Sequence, residues 1–234
     1  MPSRPLPFWN QITVSKTSAD TIIAIDSAAA ATTKMDPKAV KSDLVLILDY
    51  GSQYTHLITR RIRSLNIFSL CISGTSSLET ITSHNPKVVI LSGGPHSVHS
   101  ANSPTFPSGF VEWAQKGGIF VLGVCYGLQL IVQRLGGQVD VGQRQEYGRM
   151  EIEVEKNLGV FGNKKVGDKQ VVWMSHGDET VKLPYGFEVV ARSQQGAVAA
   201  VENREMRFFG LQYHPEVTWV WIRYLGLFWF LRLF

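Results

Sequence analysis

Ile119-Phe120-Val121-Leu122-Gly123-Val124-Cys125-Tyr126-Gly127-Leu128 joins a strand pattern to a helix pattern. An apolar run of strand length, Ile119 to Val124, breaks at Gly-x-Cys-x-Gly, and a helix opens near Leu128. A strand with no polar alternation belongs to a sheet covered on both faces. Strand, tight turn and helix are also the setting of a nucleophile elbow, here with sulfur in place of hydroxyl. A side chain exposed on so sharp a turn crowds the residues two before and two after it, which accounts for glycine at 123 and 127. The helix N-terminus favours thiolate over thiol. That bias matters because a cysteine of ordinary pKa, ~8.5, is mostly protonated at neutral pH. The competing reading of Cys125 is a small apolar residue in a buried turn. Cys71, within the apolar run Phe68 to Ile72, is given that second reading.

Working outward, the same grammar repeats. Leu44 to Leu48, Phe68 to Ile72 and Lys87 to Leu91 read as further strands. Between the first two, Ile58, Ile62 and Leu65 mark one helix face, with Arg60, Arg61 and Arg63 on or beside the solvated side. A helix over Phe110 to Gln115 precedes the Ile119 strand. Alternating strands and helices predict an α/β fold with a central, mostly parallel sheet flanked by helices. After Gly136 the segments become shorter and more polar: Met150 to Val154, Val171 to Met174, Val189 to Ala191, Ala197 to Val201 and Phe208 to Gln212. Asn203-Arg204-Glu205 suits a hairpin turn between the last two. The second half therefore reads as a mixed-sheet elaboration of the parallel core.

Two further motifs carry chemistry. Tyr213-His214-Pro215-Glu216-Val217 follows the Phe208 strand. On an extended chain His214 and Glu216 project to one side, with Pro215 holding the backbone extended between them. A histidine that takes the Cys125 proton needs an acceptor on its other ring nitrogen, and Glu216 supplies one. A surface turn is the plain alternative; a metal site is disfavoured because no second His or Cys stands nearby at ligand spacing. Gly93-Gly94-Pro95 leaves the end of a parallel strand, where ligand sites of open α/β sheets gather. Its glycines and the N–H of Tyr126 could form an oxyanion hole. The loop Ser92 to Ser97 is not a Walker loop, since no Gly-Lys-Ser/Thr follows. It resembles a pyrophosphatase-type Ser-Gly-Gly-x-Asp-Ser loop only with His96 at the aspartate position.

The 234 residues, 44% hydrophobic and 18% charged, suffice for one substantial core. A net charge of +4 without a basic helix face gives no footprint for nucleic acid. Two cysteines in a chain of this size point to a reducing compartment, so the cytoplasm is expected. Residues 1 to 42 lack a hydrophobic period and read as a disordered extension. Residues 219 to 234 hold three of the six tryptophans and two arginines. This aromatic tail is shorter than the ~20 apolar residues of a membrane span, and reads as a loosely docked apolar helix, with membrane-surface or partner contact as the alternative.

Gly-Gly-Pro after a strand, Gly-x-Cys-x-Gly and a late His-Pro-Glu, in that order, resemble the class I glutamine amidotransferases over residues 43 to 218. Within that family the details are similar to the glutaminase domains of the GMP synthase type: Asp49-Tyr50-Gly51-Ser52-Gln53-Tyr54, Cys125-Tyr126-Gly127-Leu128-Gln129, Trp173-Met174-Ser175-His176-Gly177-Asp178 and His214-Pro215-Glu216-Val217-Thr218. The resemblance implies a flavodoxin-like fold and a Cys125, His214, Glu216 triad that hydrolyses glutamine through a glutamyl thioester. It implies an oxyanion hole at Gly94 and Tyr126, and contacts of Gln129 and Asp178 with the amino-acid end of the substrate. His176 is then a residue supporting the site, an interdomain residue or a structural histidine. No cofactor or metal is implied for this chain. ATP and magnesium would serve an ATP-pyrophosphatase domain that turns XMP into GMP and that is expected to be missing here, as in a truncated product. That synthetase, as domain or subunit, is the implied partner, and a non-catalytic regulatory fragment is the alternative.

Overall fold

The computed structural model describes residues 44 to 156, 159 to 162 and 164 to 217. The expected extension over 1 to 42 and the aromatic segment 219 to 234 lie outside the described residues. One nine-stranded sheet organises the rest. Its first half follows the expected alternation: β1 (Val45–Asp49), α1 (Thr55–Arg63), β2 (Ser69–Ser73), α2 (Leu78–Ser83), β3 (Val88–Leu91), α3 (Phe110–Lys116), β4 (Phe120–Val124) and α4 (Tyr126–Arg134). The second half is β5 (Gln138–Val154), β6 (Lys169–Lys182), β7 (Glu188–Ser193), β8 (Val198–Asn203) and β9 (Phe208–Leu211). The spatial order is β2-β1-β3-β4-β9-β8-β7-β5-β6.

Strands β2, β1, β3, β4 and β9 run parallel, whereas the pairs β9–β8, β8–β7, β7–β5 and β5–β6 are antiparallel. β3 and, up to Leu48, β1 are solidly apolar because both faces are covered. Val45, Ile47 and Ile90 pack with Ile58 and Ile62 of α1. Leu46, Leu48 and Leu91 pack on the other face with Ile81, Phe110, Leu128 and Ile131. The Ile58 face of α1 is as expected, although the helix ends at Arg63, before Leu65. The Asn203 turn also forms: the Asn203 side chain accepts from the Met206 N–H, and Arg207 takes a positive φ of 59°.

Two elements depart from the sequence reading. Helix α2 was not expected, because its six residues bury only Ile81 and so show no period. It is held instead by its cap, with the Ser77 side chain accepting from the Thr80 N–H. Strands β5 and β6 run 17 and 14 residues, far beyond the apolar cores at Met150 and Val171. Their outer parts pair as a ribbon whose register shifts between Val141 and Glu146; Val139 is buried but Val141, Tyr147 and Val181 are exposed, so the ribbon shows no continuous apolar run.

Candidate active site

The end of β4 places Cys125 in the middle of the sheet, at the carboxyl edge of the parallel strands. Its backbone has φ 51° and ψ −104°, a strained conformation for a residue with a Cβ. The Cys125 N–H donates to the Leu211 carbonyl at 2.7 Å, tying the strained residue to β9. The two flanking glycines are sterically required. A Cβ on Gly123 would lie 2.5 Å from the Gly127 carbonyl, and one on Gly127 would lie 2.2 Å from the Leu91 oxygen. Helix α4 begins at Tyr126, two residues before the expected start, so the Tyr126 N–H belongs to its unpaired first turn.

His214 and Glu216 meet as expected, but for a different backbone reason. β9 ends at Leu211, and the segment from His214 closes as a turn in which the Val217 N–H donates to the His214 carbonyl. The expected extended backbone is therefore replaced by a turn, and Pro215 occupies its second position, where a fixed φ is favourable. His214 Nδ1 lies 2.9 Å from Glu216 Oε1, with both side chains almost fully buried. Burial alone would lower the His214 pKa. Hydrogen bonds to Cys125 and Glu216, and the charges of both, outweigh it and push the value up to about 10. Tyr54 sets its ring edge against the imidazole, 5.2 Å between centroids.

Gly94 packs against the Tyr50 carbonyl, which a Cβ would approach to 2.6 Å, so the loop after β3 can pass only as glycine. Beside it opens a cavity of about 300 Å³ whose lining includes Gly94, Cys125, Tyr126, Gln129 and Asp178. Five of the seven expected site residues thus share one cavity, and His214 with Glu216 is buried outside its lining.

The family model of glutamine amidotransferase class-I matches residues 46–220. The chain belongs to this family. It is 43% identical over 176 residues to a GMP synthase (glutamine-hydrolyzing) of Brachyspira hyodysenteriae, covering 75% of this chain and 33% of that protein. It is 44% identical over 181 residues to one of Prochlorococcus marinus, covering 77% and 33%. The chain spans about a third of the length of these relatives. The fold is that of a glutamine amidotransferase of Thermotoga maritima, with a TM-score of 0.58 at 22% identity over 74% of this chain and 76% of that one.

In this amidotransferase domain, Asp178 reaches the cavity from β6, and its carboxylate accepts from the Ser97 hydroxyl at 2.6 Å. Gln129 donates through Nε2 to the Asp178 main-chain carbonyl at 3.0 Å. His176 is fully engaged: Nδ1 lies 3.0 Å from the same carbonyl and Nε2 lies 3.2 Å from Glu146, which also receives the Ser193 hydroxyl. It supports the Asp178 main chain and, though almost fully buried, also lines the cavity. Sequence reasoning missed Ser97, Glu146, Ser175 and Gln212. The Ser175 carbonyl and the Gln212 amide both lie 3.7 Å from Cys125 Sγ. A signal for Gln212 existed: a polar residue closing an apolar strand, two positions before His214.

Proposed function

We propose that this domain hydrolyses glutamine to glutamate and delivers the ammonia to a synthetase that aminates XMP to GMP. The reading is carried by one observation: Cys125, strained on its elbow, acts electrostatically on a buried histidine whose Nδ1 is held by Glu216. The GMP synthase relatives support the choice of synthetase.

His214 holds the proton taken from Cys125, and the thiolate attacks the carboxamide carbon as the carbonyl electron pair moves to oxygen. The N–H groups of Gly94 and Tyr126 receive that oxyanion. As the tetrahedral centre collapses, His214 gives its proton to the departing nitrogen and ammonia leaves. Water, deprotonated by the now neutral His214, then splits the thioester to glutamate and restores the thiol. Glu216 orients the imidazole throughout. The Asp178 carboxylate, steadied by Ser97, suits the α-ammonium of glutamine, with Gln129 lining the same cavity.

This sequence uses no cofactor or metal from the chain. ATP and magnesium would serve the synthetase, and the cytoplasm is where the two would meet. Among the described residues no helix is long and apolar enough to cross a membrane.

The purified chain incubated with glutamine, alone and with a separate ATP-pyrophosphatase subunit, should form glutamate, and Cys125→Ala should abolish it. No turnover in either arm, together with a Cys125 that resists a glutamine-analogue alkylator, would reduce the domain to a non-catalytic docking module.

A further inference from the structure

The Asp178 main-chain oxygen can only accept hydrogen bonds. The Gln129 atom 3.0 Å away must therefore be its Nε2, and the same nitrogen lies 3.4 Å from Gln212 Oε1. With its oxygen committed there, Gln212 turns Nε2 toward Cys125 Sγ, 3.7 Å away. Gln212 is 0% exposed and lies outside the cavity lining, so water cannot offer its amide another arrangement. Flipping Gln129 would set two oxygens face to face, and flipping Gln212 would aim an oxygen at sulfur. The Asp178 carbonyl that begins the chain is itself pinned by His176, which Glu146 backs.

We propose that Gln212 is an amide donor to the Cys125 thiolate, with its orientation imposed by the Asp178 carbonyl through Gln129. The groups that face the sulfur divide by charge preference. From β6, the Ser175 carbonyl accepts an S–H and so favours the thiol. From beyond β9, His214 receives the proton, with Glu216 behind it. The first turn of α4 presents N–H groups from the third side. Gln212 offsets the Ser175 carbonyl, because its N–H is satisfied by sulfur only as an acceptor. When the proton passes from Sγ to His214, the electron pair left on sulfur is held by this donor until it forms the bond to the substrate carbon. The proposal rests on the glutaminase reading, since it assigns Cys125 as the nucleophile.

The test is iodoacetamide alkylation of the full chain across a pH series, with the Cys125 and Cys71 peptides quantified separately by mass spectrometry. Gln212→Met keeps the volume and removes the donor, whereas Gln212→Glu keeps an acceptor for Gln129 and sets oxygen against sulfur. In both, the Cys125 midpoint should move up by about one pH unit, slowing the reaction about tenfold at neutral pH, while Cys71 keeps its wild-type profile. Cys125 profiles that superimpose on wild type, or Cys71 moving in parallel, would overturn the proposal. Should both variants fail to fold, the unsubstituted chain decides: the side-chain amide resonance of Gln212 should titrate with the Cys125 midpoint, and a flat resonance refutes the donor. Alkylation requires no turnover, so absence of glutaminase activity would sink the earlier reading without touching this readout.

Discussion

Gly93 and the imidazole of His214 leave no room for a side chain between them: a Cβ on Gly93 would stand 3.0 Å from His214 Cε1. The loop after β3 therefore forms one wall of the seat that holds the ring.

Gly93→Ala should push the imidazole by a few tenths of an ångström and misalign it with Cys125. The expected result is a kcat for glutamine hydrolysis lower by about tenfold, since an ångström of misplacement can cost ~10²-fold. Circular dichroism and the melting midpoint should stay near wild type, separating this effect from unfolding.

Ser97→Ala removes the hydroxyl that donates to the Asp178 carboxylate. A hydrogen bond to a charged group contributes about 1.5 kcal/mol or more, so KM for glutamine should rise about tenfold with kcat within about twofold. An unchanged KM would show that Asp178 does not contact the substrate.

Glu216→Gln retains an oxygen for His214 Nδ1 but replaces the charge with an amide. Glu216 Oε2 is buried with no hydrogen-bond partner among the described residues, so the new NH2 gains no acceptor there. The loss of charge-assisted orientation should lower kcat by ~10², and steady-state kinetics with saturating glutamine reads it.

Cys125 holds a positive φ that only glycine adopts freely. Cys125→Gly and Cys125→Ala should both be inactive, yet the glycine variant should be the more stable by ~1 kcal/mol. Urea unfolding of the pair gives the difference, and equal midpoints would mean that the elbow stores no strain.

The raised pKa of His214 makes stability depend on pH. Folding lifts the value from 6.5 to about 10, so the folded state binds a proton the unfolded chain releases. The contribution is complete below 6.5 and disappears as pH climbs through about 10. The urea midpoint of the wild type should accordingly fall more steeply between neutral and alkaline pH than that of His214→Asn.

The parallel half of the fold was legible because β3, β4 and β1 as far as Leu48 carry no polar residue and α1 carries one clean stripe. Helix α2 was hidden by its own chemistry: Leu78–Ser83 is stabilised by a Ser77 cap and not by a buried face. The ribbon of β5 and β6 was hidden likewise, since its outer residues pair through the main chain while Val141, Tyr147 and Val181 stay exposed among polar neighbours. At the site, Cys125, His214 and Glu216 could be found from short spacings. Ser97 and Glu146 could not, because their roles depend on partners 81 and 30 positions away, and Gln212 showed only as a polar residue ending an apolar run, with its partner 87 positions away.

Strand β9 lies late in the sequence yet sits in the interior of the sheet, wedged between β4 and β8. A ribosome therefore completes Cys125 long before it makes the strand that closes the gap beside it. Until that wedge slides home, β4 keeps a bare edge and the Cys125 N–H lacks the acceptor that Leu211 provides. Cys125 and His214 are thus brought together only in a molecule whose last interior strand has arrived.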